Sequence, residues 1–180
     1  DCLFELQALA LHHRKEMKVP VLAITGTNGK TTTKELLGTV MLKKLKVHFT
    51  KGNLNNQIGV PLTILAAPKG TEMMIIELGA NHIGEIKTLC RIVNPDYGII
   101  TNIGRAHIEG FGSDNGIVNA KIELYEYLHK VNGIAFYNDK NPLLTELIFK
   151  IINRAVPFSE PTGIKLQIDL MSSERYLTVS

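Results

Sequence analysis

Six short apolar runs recur along the chain, and segments of helical length lie between most of them. The runs are VPVLAIT, KVHFT, MMIIEL, YGIITNI, GIAFYN and AVPFS, whose β-branched content is typical of strands. Apolarity is continuous within MMII and GII, which indicates strands that are buried on both faces. This succession predicts an α/β fold with a mostly parallel sheet, helices on both faces and a ligand site at the carboxyl ends of the strands.

The two ends of the chain depart from this succession. Apolar residues from Leu3 to Met17 have helical spacing and Pro20 blocks a continuation, so residues 1–18 are predicted to form a lead-in helix. The last stretch, IKLQIDLMSSERYLTVS, alternates on either side of SSER and predicts an antiparallel hairpin at one sheet edge. Because the chain begins without Met and ends on an apolar alternation, we expect a segment of a longer protein.

Composition narrows the class of protein. The 180 residues, 44% of them apolar and 21% charged, suit one well-packed domain. The formal charge of +3 is spread along the chain, which argues against a nucleic-acid partner. No apolar run reaches the roughly 18 residues that a membrane span needs. Cys2 and Cys90 lack metal-type spacing and fit a reducing compartment, so we expect a cytoplasmic protein.

The loop TGTNGKTTTKELLG follows the first predicted strand and opens a predicted helix. Ile24 stands where phosphate-binding loops usually carry their first glycine, yet Gly26 and Gly29 can still turn backbone N–H groups toward an anion. Lys30 would reach the β- and γ-phosphates, and Thr31 would offer its hydroxyl to Mg²⁺. The alternative is a tight turn with Lys30 in solvent. The predicted nucleotide-binding residues are Gly26, Thr27, Asn28, Gly29, Lys30, Thr31 and Thr32.

Three further residues are candidates for a metal site. Glu77 closes an apolar strand, so it is either a metal ligand or a salt-bridge partner. His107 lies in a loop after the next strand, where a histidine is by default a surface residue. Lys121 lies close to the apolar stripe of a predicted helix, where a lysine usually snorkels. A lysine beside Mg²⁺ would need its positive charge suppressed or chemically altered.

Five motifs resemble the Mur ligases, the ATP-dependent amino-acid and peptide ligases of bacterial cell-wall synthesis. They are TGTNGKTTTKE, NLNNQIGVPLTIL, ELGANHIGEI, TNIGRAHIEGFGS and AKIELYEYL, followed by the weaker FYNDKN, and they cover nearly the whole chain. The first is shared across the family. The next three most resemble the branch whose substrates are UDP-N-acetylmuramoyl-tripeptide and D-alanyl-D-alanine. The resemblance implies a P-loop NTPase-like fold.

The resemblance also implies residue roles. Lys30 would hold the transferred phosphate, and Thr31 with Glu77 would bind a first Mg²⁺. His107 would bind a second Mg²⁺ together with Lys121, which would carry a carbamate formed with CO₂. Lys30, His107 and Lys121 are thus the expected catalytic residues. The residues expected near the acceptor and phosphate are Asn55, Asn56, Asn81 and His82.

The implied reaction consumes ATP. The tripeptide carboxylate would attack the γ-phosphate to give an acyl phosphate, and the amine of D-alanyl-D-alanine would then displace phosphate. We expect a monomer in which residues 1–180 form the central ATPase domain, incomplete at its C-terminal end. The UDP-binding N-terminal domain and the C-terminal ligase domain of the family would lie outside this chain, and the fragment alone would be inactive.

Three other interpretations stay open at this point. One is another ligase of the same superfamily, which extends a muramyl dipeptide or makes folylpolyglutamate; GANHIGEI and NNQIGVPLT count against it. Another is a P-loop switch or kinase, which needs no carbamylated lysine. The last is a nucleotide-binding module without catalysis.

Overall fold

Six parallel strands form one sheet in the computed structural model, which describes residues 1–104 and 114–159. The strand order is β2-β3-β1-β4-β5-β6. Each predicted run contains one strand, so the α/β prediction with a parallel sheet is confirmed. His107 and the hairpin predicted over residues 164–180 lie outside the described residues. The strands are β1 (Val21–Thr25), β2 (Val47–Phe49), β3 (Met73–Glu77), β4 (Tyr97–Ile100), β5 (Ile134–Tyr137) and β6 (Ala155–Pro157).

Helices precede, follow and connect these strands where helical segments were predicted. The lead-in helix begins after Asp1, whose carboxylate accepts a hydrogen bond from the N–H of Leu3 at 3.0 Å. In the described parts of the chain, no helix combines the length and apolarity needed to cross a membrane. The helices are α1 (Cys2–Met17), α2 (Lys30–Met41), α3 (Gly59–Leu65), α4 (Glu85–Val93), α5 (Asp114–Lys130) and α6 (Pro142–Ile151).

Both faces of the central strands are buried. Along β1, Val21 and Ala23 pack into a large core with residues of α1, α3, α4, α5 and α6. Leu22 and Ile24 pack on the other face, where Leu37 and Met41 of α2 lie against them. This two-sided burial explains the continuous apolarity of the strand sequences.

The strand order brings three carboxyl ends together. In the sheet register Ile24 is paired with Glu77 of β3, and Thr25 is paired with Ile100 of β4. After β1 the chain runs to one sheet edge and returns through β3, and β4 then pairs with the opposite side of β1. Ligands of open α/β sheets bind where neighbouring connections diverge in this way. The loops after β1, β3 and β4 therefore form the expected site.

Candidate functional site

The loop after β1 is a turn that two glycines make possible. Gly26 has φ +144° and Gly29 has φ +76°, conformations that residues with a Cβ rarely adopt. Gly29 precedes the first residue of α2, and within the described residues no side chain caps this helix end. The N–H groups of the first turn, together with the helix dipole, thus remain available to an anion.

Hydrogen bonds fasten this loop to the segment after β4. The Thr27 hydroxyl donates to the carbonyl of Gly104 at 3.1 Å and accepts from its N–H at 3.0 Å. The Asn102 side chain accepts from the N–H of Asn28 and donates to its carbonyl, both at 3.0 Å. The loop is therefore held in place before any ligand arrives, which lowers the entropy cost of binding.

Lys30 occupies the centre of the loop. Its Nζ donates to the carbonyl of Gly26 at 2.8 Å and to that of Thr27 at 3.1 Å. Burial lowers the pKa of Lys30, and the negative charge of Glu77 partly opposes that effect. Lys30 is thus partly buried and hydrogen-bonded to the loop, and its two carbonyl partners could be exchanged for an anion.

Glu77 joins the loop to the segment before α3. Its side chain is 2% exposed. Its Oε2 accepts from the Thr31 hydroxyl at 3.0 Å and its Oε1 accepts from the Asn55 amide at 2.9 Å. Gly79 leaves room for this arrangement, because a Cβ there would lie 2.7 Å from Oδ1 of Asn55.

The Thr31 hydroxyl and the Glu77 carboxylate fit the ligand preference of Mg²⁺. They are hard oxygen ligands side by side, and Mg²⁺ bound to a nucleotide takes few protein ligands besides phosphate and water. Among the described residues, no group of three His, Cys, Asp or Glu side chains is arranged to hold a metal ion. The donor set thus suits a metal that arrives with phosphate oxygens.

A pocket of about 250 Å³ extends from Lys30 to Lys121. Lys121, on α5, is 3% exposed, so it does not snorkel into solvent. Burial and the charge of Lys30 lower the pKa of Lys121 to about 8, although Glu85 and Glu123 oppose this shift. The residues lining the pocket include Gly26, Thr27, Lys30, Asn55, Asn56, Gln57, Gly79, Ala80, Asn81, Glu85 and Lys121.

The wall formed by residues 79–85 is held by two carboxylates. Glu85 Oε2 accepts from the N–H groups of Asn81 at 2.6 Å and His82 at 3.1 Å. Burial raises the pKa of Glu85, but these hydrogen bonds and the neighbouring His82 outweigh burial and lower it. From α5, Glu123 accepts from the N–H of Gly84 at 2.5 Å and from that of Lys87 at 2.8 Å. Glu123 therefore caps α4 from another helix.

Of the four residues predicted near the acceptor, three line the pocket and one does not. Asn55 and Asn81 line the pocket, and the Asn55 amide also donates to Glu77. Asn56 also lines the pocket, while its Oδ1 accepts from the N–H of Gly59 at the start of α3. The His82 side chain is 67% exposed and is not among the pocket-lining residues described here. Thr32 is exposed on the first turn of α2.

Sequence reasoning missed three charged residues of this region: Lys34, Glu85 and Glu123. Lys34 is completely buried, with its Nζ 3.9 Å from Oε2 of Glu77. Its spacing of four residues from Lys30 could have placed it on the same helix face. Glu123 gave no comparable signal, because the N–H groups that it binds lie far from it in sequence.

The comparisons with known proteins agree on one family. The family model for the Mur ligase middle domain matches residues 24–177. A UDP-N-acetylmuramoyl-tripeptide--D-alanyl-D-alanine ligase from Bacillus subtilis is 45% identical over 80% of this chain, which covers 31% of that relative. The chain thus spans about a third of the length of the curated relatives it matches.

Solved structures show the same fold. The MurF ligase from Thermotoga maritima in complex with ADP matches with a TM-score of 0.81 at 34% identity, over 87% of this chain and 36% of that chain. The folylpolyglutamate synthase from Mycobacterium tuberculosis, complexed with ADP, has a TM-score of 0.55 over 93% of this chain and 48% of that chain. Its 12% identity shows a shared fold alone. From the match of the family model across most of its length, this chain belongs to the Mur ligase middle-domain family.

Proposed function

We propose that this chain is the nucleotide-binding part of an ATP-dependent ligase that joins D-alanyl-D-alanine to UDP-N-acetylmuramoyl-tripeptide. The observation that carries the proposal is the cluster of Lys30, Thr31 and Glu77 beside an uncapped helix N-terminus. The substrates are proposed from the B. subtilis relative, whose name specifies them and whose identity to this chain is 45%.

Within this proposal, Lys30 binds the phosphate that is transferred. Its Nζ now donates to two loop carbonyls, and those hydrogen bonds are exchanged for bonds to the β- and γ-phosphates. The N–H groups of the first turn of α2 bind phosphate oxygens at the same time. Charge that develops on the phosphate during attack by the tripeptide carboxylate is neutralised by donors already in place.

Thr31 and Glu77 are the residues that would hold a first Mg²⁺. The ion would supply charge neutralisation on the phosphate oxygens. Asn55 fixes one oxygen of the Glu77 carboxylate, so the other is presented beside the Thr31 hydroxyl. We propose His107 and carbamylated Lys121 as ligands of a second Mg²⁺.

The environment of Lys121 supports a carbamate. The side chain is buried at the pocket, and its pKa of about 8 leaves part of the amine neutral near physiological pH. The nitrogen of the neutral amine bonds to the carbon of CO₂ and releases a proton to solvent, and the resulting carbamate carries a negative charge near Lys30. A cation buried close to another cation is thereby replaced by an attractive pair.

The chain is also proposed to act within a larger enzyme, since its relatives are about three times as long. Within such an enzyme it would provide ATP and Mg²⁺ binding, and the acyl phosphate would form over the pocket between Lys30 and Lys121. A cytoplasmic location follows from the nucleotide-linked substrates of the proposed reaction.

The first test is calorimetric titration of this chain with a non-hydrolysable ATP analogue and Mg²⁺. We expect binding that requires Mg²⁺ and is lost in Lys30→Ala, whereas Lys44→Ala, an exposed lysine beyond the end of α2, leaves it unchanged. Equal binding by wild type and Lys30→Ala would contradict the assignment of the loop.

The ligase assignment is tested on the full-length gene product. We expect ADP release to require both UDP-N-acetylmuramoyl-tripeptide and D-alanyl-D-alanine, and mass spectrometry to detect the joined peptide. ADP release that does not depend on D-alanyl-D-alanine would favour a nucleotide-binding or switch protein. ADP release with a dipeptide or folate acceptor would favour another ligase of the superfamily.

A further inference from the structure

Lys34 lies one helical turn after Lys30 and is 0% exposed. Lysine is almost never fully buried unless its ammonium group is paired. The Nζ atom lies 3.0 Å from Oε1 of Glu35 and 3.9 Å from Oε2 of Glu77, and it donates to the carbonyl of Gly52 at 3.4 Å. The proposed reaction gives this lysine no role.

Lys34 lies near one of the two carboxylate oxygens of Glu77. Oε1 accepts from Asn55, whereas Oε2 accepts from the Thr31 hydroxyl and faces the ammonium of Lys34. Oε2 is thus the oxygen that lies beside Thr31, where the proposed metal binds. A fixed ammonium and a magnesium ion near the same oxygen repel each other, and burial makes that repulsion stronger than in water.

The local charge balance follows from these contacts. Lys30 and Lys34 bring two positive charges to the loop, and Glu77 is the buried carboxylate between them. Glu35 is half-exposed, so its charge is screened by solvent. The affinity of the site for Mg²⁺ alone should therefore be low. The negative charge of a bound nucleotide offsets the two lysines and makes Mg²⁺ binding favourable.

We propose that Lys34, whose nearest carboxylate is Glu35, is also a buried counter-cation of Glu77 and makes Mg²⁺ binding depend on the nucleotide. The inference rests on the proposed function, in which Thr31 and Glu77 hold Mg²⁺. Lys34 is a positioning residue: its charge holds the carboxylate in the absence of metal and disfavours metal without phosphate. Glu35 already lies 3.0 Å from the ammonium, so it keeps Lys34 paired when Mg²⁺ binds to Glu77.

The decisive measurement is calorimetric titration of the chain with Mg²⁺ alone. We expect Lys34→Met to bind the bare ion at least about tenfold more tightly than wild type, because one of the two positive charges near Glu77 is gone. Lys34→Arg retains the charge and should behave as wild type. Lys44→Met makes the same substitution at an exposed site and should also leave Mg²⁺ affinity unchanged.

Thermal unfolding separates this role from a packing role. Without metal, Lys34→Met should unfold at a lower temperature than wild type. Added Mg²⁺ should raise the unfolding temperature of Lys34→Met by more than it raises that of wild type. If Lys34 only packs, the substitution should lower the unfolding temperature by the same amount with and without Mg²⁺. That result, or unchanged affinity for the bare ion, would overturn the proposal.

A variant at an exposed position covers the case in which Lys34→Met does not fold. Glu35→Gln removes the second carboxylate and leaves the ammonium to Glu77, so Mg²⁺ should enhance nucleotide-analogue binding less than in wild type. Glu126→Gln, at an exposed carboxylate on α5, is the matched control. If the two variants behave alike, Lys34 has no such role. Failure of wild type to bind the nucleotide analogue through Lys30 would instead refute the proposed function itself.

Discussion

At the scale of single residues, two glycines of one loop make different demands on the backbone. Gly26 combines a φ of +144° with close packing, because a Cβ there would lie 2.0 Å from the Thr101 hydroxyl oxygen. Gly29 has a φ of +76°, and a Cβ would meet nothing within 4 Å. The first glycine is required by both conformation and space, and the second by conformation alone.

We therefore predict that Gly26→Ala damages nucleotide binding far more than Gly29→Ala. The first variant must displace the segment after β4 that holds the loop, and we expect at least about a tenfold loss of affinity for the Mg²⁺-bound ATP analogue. The second carries only backbone strain of about 1 kcal/mol. Calorimetry on both variants, each checked for folding by circular dichroism, measures the difference. Equal losses would mean that the close approach to Thr101 is unimportant.

Lys121 leads to a prediction about pH. Its pKa is lowered to about 8 from an ordinary value of 10.5, so the neutral amine becomes the main form as the pH rises through 8. Carbamate formation should increase over the same range, because only the neutral amine attacks CO₂. Carbon NMR with isotopically labelled bicarbonate measures the product. Lys121→Arg is the control, and a signal that persists in it, or its absence in wild type at every pH, would contradict the prediction.

At the scale of elements, the α4–α5 contact depends on a carboxylate that acts as a remote cap. Glu123 is 6% exposed, and its two oxygens accept from the N–H groups of Gly84 and Lys87. In Glu123→Gln one acceptor becomes a donor that faces an N–H group. Leaving such a buried group unsatisfied costs about 1–3 kcal/mol.

We accordingly expect urea denaturation to show that Glu123→Gln lowers the free energy of unfolding by about 1–3 kcal/mol. Glu126→Gln, one exposed position on the same helix, should change it by less than about 0.5 kcal/mol. Because residues 79–85 form a wall of the pocket, the cap also fixes the distance between that wall and Lys121. If both variants have the stability of wild type, the two hydrogen bonds contribute nothing net.

The elements themselves could be predicted because their signals are local. All six strands and the helices between them lie within runs whose apolar spacing is visible in a few consecutive residues. The turn at Gly26 and Gly29 and the place of Lys30 at the start of α2 were predicted in the same way, since the proposed phosphate loop is continuous in sequence. The cap by Glu123 could not be predicted, because its partner Gly84 is 39 residues away and both residues look ordinary in their own segments.

At the scale of the whole molecule, the sequence indicated a parallel sheet but not the order of its strands. That order places Glu77 of β3 beside the loop after β1, and it makes Glu77 both a partner of Lys34 and a neighbour of Thr31. The sequence left metal ligand and salt-bridge partner as alternatives for Glu77. The fold shows the contact with Lys34 directly, and the two roles are compatible because they use one oxygen at different times in the proposed cycle.

The sheet order also predicts where the molecule is most and least stable. β1 is paired on both sides and its five residues are buried, whereas β2 and β6 are edge strands whose residues are only partly buried. Local opening requires the loss of fewer contacts at the edges, so hydrogen exchange should be slowest in β1 and faster in β2 and β6. Exchange measured by mass spectrometry resolves these segments.

Adding the ATP analogue with Mg²⁺ should slow exchange most near the carboxyl ends of the strands, beyond any uniform gain from overall stabilisation. We expect the largest added protection in residues 26–32 and 77–85, which surround Lys30 and Glu77, and less in α6, which lies outside the pocket. Lys30→Ala should keep the slow exchange of β1 and lose the ligand-dependent change, because the anchoring phosphate contact is missing while the core is intact. Equal ligand-dependent protection of residues 26–32 in wild type and in Lys30→Ala would mean that the loop is not the place where the nucleotide binds.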